Sequence, residues 1–432
     1  MSKPSYKGAV EFLYGLETSK IKLGLERTVN LLEASGNPHH RFASIHVAGT
    51  NGKGSVACYL NSILFHNGLR TGLFTSPHLV DYRERIRVDG NVISRQELAG
   101  LVAELKAPIL ETEASYFEAT TVLAFEYFAR KAVDVGVVEV GMGGRLDSTN
   151  VLNPMLSCIT SIDFDHTKYL GKTLALIAGE KAGIIKPGVP VVCGCLSKRA
   201  SSVIRSIAAS RKSVVLEVGK DAGFEPLRMD LRGAAFEYRG RSGTRLLELK
   251  TPGLHHVANA ATALLAVDVL RSKGFEISDE AVDEGLKRAV WPGRFQVLRR
   301  RPLTICDAAH NVSGTRILVK SLEAMGMSDM VTVFGVLRDK DYARMLSLLS
   351  ASSTRFVLTR PVSDRALPLV KLEGAARKLG LRFRATASVD RAVEVAAGRY
   401  GGGRPILICG SLYALGEAMA ALGYRPYRVS VC

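Results

Sequence analysis

From residue 46 to residue 55 the chain reads His-Val-Ala-Gly-Thr-Asn-Gly-Lys-Gly-Ser, an apolar run that breaks into a glycine-rich loop and leads directly into a helical pattern. That order confines what can fold around it. Gly49, Gly52 and Gly54 let successive backbone N–H groups turn inward beside the positive end of a helix beginning near Ser55, and together they have the makings of an anion cradle. Lys53 adds a full charge. The spacing differs from G-x-x-x-x-G-K-[ST], because two residues separate Gly49 from Gly52 and a glycine stands between Lys53 and Ser55. Glycine-rich strand-to-helix turns also occur without phosphate, but a lysine and a serine beside three glycines favour nucleotide binding by Gly49, Thr50, Asn51, Gly52, Lys53, Gly54 and Ser55.

Short β-branched runs recur between helical patterns: Ala43–Val47, Val135–Val140, Leu156–Ile162 and Val189–Cys193, then Leu303–Cys306, Val331–Phe334, Arg355–Leu358 and Ile406–Cys409. Such alternation builds parallel sheets covered by helices on both faces. Amphipathic stretches intervene, among them Ser55–His66 stopped by Gly68 and His255–Lys273 stopped by Gly274. Polar residues follow the strand ends at Glu139, Asp163 to His166, Asp307 to His310, Arg360 and Ser411, the edge where open α/β sheets bind ligands. At Trp291-Pro292-Gly293-Arg294 proline and glycine interrupt a helical run and a new series begins, so the domain boundary is expected there, giving domains 1–292 and 293–432. Alternating segments at 235–238 and 246–249 predict antiparallel hairpins attached to the first domain. The expected fold is α/β with two domains: a P-loop ATPase-like, mostly parallel sheet with added antiparallel strands, and a smaller Rossmann-like C-terminal α/β domain.

Length and composition narrow the class. The 432 residues, 47% hydrophobic and 23% charged, suit a well-cored globular protein of two to three domains. No apolar run approaches the roughly 18 residues of a membrane span, and the opening Met-Ser-Lys-Pro-Ser-Tyr-Lys-Gly lacks the apolar core of a signal peptide. A cytoplasmic protein without membrane partners is expected. Cysteines at 58, 158, 193, 195, 306, 409 and 432 are odd in number and sit mostly in apolar runs, as reduced core thiols do. Cys193 and Cys195 are too close for a zinc knuckle and have no second pair. The net charge of +17 implies anionic partners, yet basic residues are spread along the chain and aromatics make up only 7%, which argues against nucleic acid.

The run Gly49-Thr50-Asn51-Gly52-Lys53-Gly54-Ser55 resembles the signature of the folylpolyglutamate synthase and dihydrofolate synthase family, within the wider Mur ligase superfamily. The resemblance continues in family order through Phe74-Thr75-Ser76-Pro77-His78-Leu79, Glu84-Arg85-Ile86, Glu139-Val140-Gly141-Met142-Gly143-Gly144-Arg145-Leu146-Asp147, Asp165-His166-Thr167, Glu180-Lys181-Ala182-Gly183-Ile184, Pro292-Gly293-Arg294-Phe295, Asp307-Ala308-Ala309-His310-Asn311 and Gly410-Ser411-Leu412-Tyr413. It implies an ATP-dependent ligase that joins glutamate to dihydropteroate, a reduced folate, or both. A carboxylate is a poor electrophile, so the γ-phosphoryl group is first placed on it and the amino group of glutamate then displaces phosphate. Cations are needed where these anions meet, and Lys53 and Mg2+ would spread charge on the transferring oxygens.

Glu139 ends the apolar run Val-Gly-Val-Val-Glu, where an unpaired carboxylate is costly unless it meets a cation. Helix capping or pairing with Arg145 is the alternative. The resemblance assigns Ser76 and Glu139 to a first Mg2+ with Ser55 nearby, His166 to a second, and Lys181 to a carbamoylated lysine. Read alone, His166 is a hydrogen-bonder in an acidic loop and Lys181 a helix lysine paired with Glu180 or Glu17. Asp147 and Ser148 match pterin positions of the family; a carboxylate can accept two parallel N–H bonds from such a ring, and a turn-forming Asx residue is the alternative. Pro77, His78, Arg83, Arg85 and Arg87 form a basic loop that is mobile in the family and brings Arg83 to the pterin, or else a solvated basic face.

Asn259 reads as a helix cap, to which the resemblance adds ATP. Arg294 is placed to swing onto ATP phosphates, Asp307 and His310 to reach ribose and adenine or to bind glutamate, and Ser411 to hold the glutamate carboxylate. Ala308 departs from the family's usual glycine; were positive φ required there, alanine would strain the loop. ATP, L-glutamate and the pterin acid are the expected partners, and a monomer the expected state. A cell-wall ligase of the same superfamily needs a uridine-binding domain ahead of the loop, for which the first 48 residues leave no room. A nucleic-acid motor would carry an apolar strand ending in Asp or Asp-Glu, unlike Val-Val-Glu-Val-Gly.

Overall fold

The computed structural model describes residues 4–16 and 24–424. Glu17 and Cys432 lie outside the described residues.

Eight strands form the first sheet: β1 (Ala43–Ala48), β2 (Thr71–Phe74), β3 (Ile86–Val88), β4 (Asn91–Val92), β5 (Val135–Glu139), β6 (Leu156–Ile159), β7 (Val191–Cys193) and β8 (Val215–Glu217). Their order is β4-β3-β2-β5-β1-β6-β7-β8, all running the same way except β3, which pairs antiparallel with both β2 and β4 at one edge. From β1 the chain crosses to β2 on one side, and from β5 it crosses over β1 to β6 on the other. The crevice at the carboxyl end of β1 is therefore a topological switch point, where open α/β sheets bind ligands. β1 and β5 are buried almost throughout, as apolar runs covered on both faces must be. Helix Lys53–His66 packs Val56, Leu60 and Ile63 into one core cluster with Val257, Leu264 and Val267 of helix Leu254–Ser272.

Residues 223–249 make an antiparallel three-stranded sheet, β9 (Gly223–Asp230), β10 (Gly233–Gly240) and β11 (Gly243–Leu249), with β10 in the middle. Phe236, Tyr238, Leu247 and Leu249 join the core under the first sheet, while Thr244, Leu246 and Glu248 on the other face of β11 are exposed. The hairpins expected from alternation are thus present and attached as expected.

A third sheet has order β12-β13-β17-β14-β15-β16, built from β12 (Gln296–Arg300), β13 (Leu303–Cys306), β14 (Met330–Phe334), β15 (Ser353–Thr359), β16 (Phe383–Thr386) and β17 (Ile406–Cys409). Only β12 runs antiparallel. All eight strand runs expected from sequence are strands here, and the short β2, β3, β4, β8, β12 and β16 are additional. Between the first and third sheets, Trp291 packs its ring against Gly54, where no Cβ would fit, and lies under the Arg87 guanidinium at 5.0 Å.

Candidate active site between the two sheets

The glycine-rich loop Gly49–Gly52 is a backbone structure held from behind. Thr160 Oγ and Ser161 Oγ both donate to the Asn51 carbonyl, at 2.6 and 2.9 Å, and Asn51 N donates to Ser161 Oγ at 2.9 Å. Gly49 has φ 149° and a Cβ there would overlap Thr160 Oγ1; Gly52 has φ 87° and a Cβ there would overlap Asn259 Oδ1. Both positions require glycine for conformation and for space. Helix Lys53–His66 opens on Gly52 with no side-chain cap, so its first N–H groups stay open toward the cleft. The helix begins at Lys53, two residues before the expected Ser55. Lys53 Nζ bonds the carbonyls of Gly49 and Thr50 at 3.2 and 3.3 Å.

A cavity of about 720 Å3 opens in front of this loop and is lined from both sheets. Its walls carry every residue of the loop from Gly49 to Ser55 and also Ser76, Glu139, Asp147, Ser148, His166, Lys181, Asn259, Arg294, Asp307, His310 and Ser411. Segments far apart in sequence thus converge on one space.

Glu139, at the end of β5, is buried and accepts the Ser76 N–H at 3.1 Å. Burial raises its carboxyl pKa; the Lys53 charge, the Ser76 N–H, Arg294 and Arg85 pull the other way. Arg145 is not its partner, being paired with Glu180 at 2.8 Å. That pairing also removes Glu180 as the expected partner of Lys181. Lys181 is instead buried, donates to the Gly49 carbonyl at 2.7 Å, and is pulled down to about 7 by burial and by Lys53. Its amine is consequently neutral in a good fraction of molecules near neutrality.

His166 has φ 48° and heads the short helix Thr167–Leu170. Burial lowers its imidazole to about 4 against the opposing pull of Asp165, so it is neutral and able to offer a lone pair. Glu139 and Ser76 offer the oxygen donors Mg2+ prefers, and neutral His166 can accept a hydrogen bond from a metal-bound water, so the residues fit the metal that the resemblance implies. No cluster of three or more His, Cys, Asp or Glu side chains suited to a metal occurs among the described residues. Any such ion would share its shell with nucleotide oxygens and water.

Asp147 behaves as the Asx reading expects. Its carboxylate accepts Met142 N at 2.9 Å, Thr149 N at 3.1 Å and Thr149 Oγ at 2.5 Å, capping the 3-10 turn Ser148–Val151. Burial raises its carboxyl pKa against those bonds. Ser148 Oγ shares a 2.7 Å bond with Thr121.

Arg83 is not brought to the cavity. Its guanidinium chelates Asp81 at 2.9 and 3.0 Å and covers the Tyr6 ring, facing away from the lining. Arg85, two residues on, lines the cavity instead; it donates to His78 Nδ1 at 2.8 Å, and both it and Arg87 are buried rather than solvated. Asn259 lies in the second turn of its helix, which is headed by Gly253, so it is no cap. Asp307 accepts Phe295 N and Ala309 N, both at 2.8 Å. Ser411 caps helix Leu412–Ala421 through Ala414 N at 3.1 Å. Ala308 is not among the residues with positive φ, so alanine fits without strain; the positive φ of 41° falls on Phe295. Cys195, expected in the core, is exposed.

Sequence reasoning passed over Lys340, which lines the cavity from the loop after β14 and pairs with Asp165 at 2.5 Å. The Asp-Lys-Asp triplet past a buried strand was the available signal.

A glycine-rich loop whose helix has no side-chain cap, a buried carboxylate that feels the Lys53 charge, and a second α/β lobe lining the same cavity suit an ATP-dependent ligase. The Mur ligase middle domain matches residues 47–267 and the Mur ligase glutamate ligase domain matches residues 293–412. The dihydrofolate synthase/folylpolyglutamate synthase of Bacillus subtilis is 34% identical over 426 residues, which cover 96% of this chain and 98% of that one. A probable bifunctional folylpolyglutamate synthase/dihydropteroate synthase of Haloferax volcanii is also 34% identical, but the chain spans only 50% of its length. Folylpolyglutamate synthase of Mycobacterium tuberculosis, solved with ADP and AMPPCP, superposes with a TM-score of 0.91 at 32% identity over 98% of this chain and all of that one. The chain belongs to the folylpolyglutamate synthase/dihydrofolate synthase family of Mur-type ligases.

Proposed function

We propose that the cavity holds ATP with its triphosphate on the Gly49–Ser55 loop and uses it to add L-glutamate to the carboxyl group of dihydropteroate, of a reduced folate, or of both. A carboxylate oxygen of the acid attacks the γ-phosphorus, the bond to the bridging oxygen breaks and ADP leaves. The glutamate amine then attacks the acyl carbon, phosphate departs and the amine proton is lost to solvent or to a basic side chain. Convergence of Lys53 and Glu139 on one cavity carries this reading, since transferring phosphoryl oxygens call for a cation and for a carboxylate able to hold a metal.

Lys53 neutralises charge on the transferring group, and the uncapped N–H groups of the helix behind it orient the phosphates. Ser76, Glu139 and His166 would hold Mg2+, which supplies Lewis-acid polarisation of the phosphoryl oxygens when bound. Lys181, with a free-amine fraction near neutrality, is suited to capture carbon dioxide as a carbamate with release of one proton; the carbamate then presents an anion where an ammonium would repel a metal. Arg294, Asp307 and His310 would complete the nucleotide site, His310 and Ser411 would receive glutamate, and Asp147 and Ser148 border the side available to the pterin. The boundary at 292/293 would serve as the hinge between the lobes. Five buried free thiols among the six described cysteines accord with a cytoplasmic enzyme. Both lobes of the cleft come from one chain, which suits a monomer.

The test is phosphate release coupled to product mass. ADP and phosphate should form only when both glutamate and the pterin acid are present, with a product heavier by one glutamyl residue. Turnover independent of the acid would overturn the reading, and parallel assays with dihydropteroate and tetrahydrofolate separate the two substrate options.

A further inference from the structure

The first and third sheets meet through a network of side chains in which Asp165, Lys340 and Asn311 have no part in the reaction chemistry above. Asp165, beyond β6, has a side chain only 8% exposed, and Lys340, beyond β14, one only 6% exposed; Nζ stands 2.5 Å from Oδ1. Asn311 Nδ2 donates to the other Asp165 oxygen at 3.0 Å and to Asn51 Oδ1 in the phosphate loop at 2.9 Å. The Asn311 amide oxygen meanwhile accepts Gly314 N at 2.8 Å, capping helix Val312–Ala324. His310 Nε2 approaches the same Asp165 oxygen at 3.5 Å. On the near side, Asp165 Oδ1 accepts the backbone N–H of His166 at 2.8 Å and so fixes the left-handed turn that turns His166 into the cavity.

A pair this deeply enclosed is held by geometry and by further bonds, and removing one partner leaves the other charge stranded. We infer that Lys340 and Asn311 are positioning residues: they clasp the C-terminal lobe onto the Asp165–His166 turn and the phosphate loop, so that bound phosphates are enclosed only when the lobes are joined. The clasp works through Asp165 and Asn51 rather than on the reacting atoms. It couples lobe closure to nucleotide retention, because a site competent in only a fraction of molecules binds correspondingly more weakly. The inference rests on the cleft being a nucleotide site and requires nothing of the acid substrate.

Titration of the full-length protein with Mg2+ and a fluorescent non-hydrolysable ATP analogue tests it. Wild-type binding is measured first, so a failure of the nucleotide reading itself shows before any variant is made. K340Q and D165N should each weaken binding about tenfold, and the D165N/K340Q double variant should be little weaker than either single, because both break one coupled unit. K340R should recover most of the loss, since a guanidinium can span to the carboxylate. N311S, which keeps the helix cap but cannot reach Asn51 and Asp165, should weaken binding with an unchanged melting temperature. Single variants with wild-type affinity, or losses that multiply to about a hundredfold in the double, overturn the clasp. Should K340Q fail to fold, D165N and N311S supply the same test: weakened binding in both supports the clasp, and wild-type affinity in both overturns it.

Discussion

Two strand-to-helix turns face each other across the cleft and solve the same local problem in opposite ways. After β1, the turn Gly49–Gly52 starts helix Lys53–His66 with no side-chain cap, and hydroxyls from Thr160 and Ser161 secure it from behind. After β13, the turn Asp307–Asn311 contains no glycine, and it consumes its own donors: Asp307 takes the N–H groups of Phe295 and Ala309, and Asn311 takes that of Gly314. A helix end that is left open is a place for an external anion, whereas one that is filled from within is a scaffold for the side chains around it. The first turn is thus suited to binding phosphates by backbone, and the second to presenting His310 and Asn311.

The difference can be broken most severely at Lys53. Lys53→Ala should lower kcat on the order of 10²- to 10³-fold with little change in melting temperature, because the proposed function gives its charge to the transferring group and the residue is only part-buried. A melting-temperature collapse would instead make Lys53 structural. The next effect concerns Lys181, which bonds the first turn through the Gly49 carbonyl. Only the free amine reacts with carbon dioxide, and an amine with pKa about 7 loses roughly tenfold in free fraction between about pH 8 and pH 6. Activity in carbon-dioxide-depleted buffer should therefore fall, fall further as pH drops, and return on adding bicarbonate; indifference to bicarbonate would assign Lys181 an ordinary lysine's role.

Gly52→Ala should destabilise by about 1–3 kcal/mol in thermal or denaturant melts, since it forces a side chain into positive φ and against Asn259. Asn311→Ala should cost about 1 kcal/mol through loss of a cap that the first turn never had. The smallest effect is at Ala308. Replacement by glycine should destabilise by about 0.4–1 kcal/mol, because alanine sits unstrained in a buried position and glycine only adds freedom to the unfolded chain. A stabilising Ala308→Gly would show hidden strain in the second turn.

How much of this was legible in the sequence follows the same division. The first turn announces itself, because glycine, lysine and serine at a strand end are needed for backbone conformation and charge whatever surrounds them. Core strands such as β1, β5 and β13 read as apolar runs because they are covered on both faces. β2, β3, β4 and β8 span four residues or fewer and β16 is half exposed, leaving too little periodicity to separate them from loops. Arg83 and Arg85 cannot be told apart by type; only the fold decides that Asp81 takes one and the cavity the other. Lys340 was passed over for a different reason: the Asp-Lys-Asp triplet marks a charged turn, but its partner Asp165 is 175 residues away, and the pair has meaning only once both lobes are placed.

A crystal structure with Mg2+, a non-hydrolysable ATP analogue and the pterin acid tests the central claim most directly. The γ-phosphate should lie between Lys53 Nζ and Glu139, the latter reached through a metal ion, with the acid's carboxylate facing it from the side of Asp147. A nucleotide bound elsewhere, or a Glu139 carboxylate turned away from the phosphate that Lys53 holds, would contradict it.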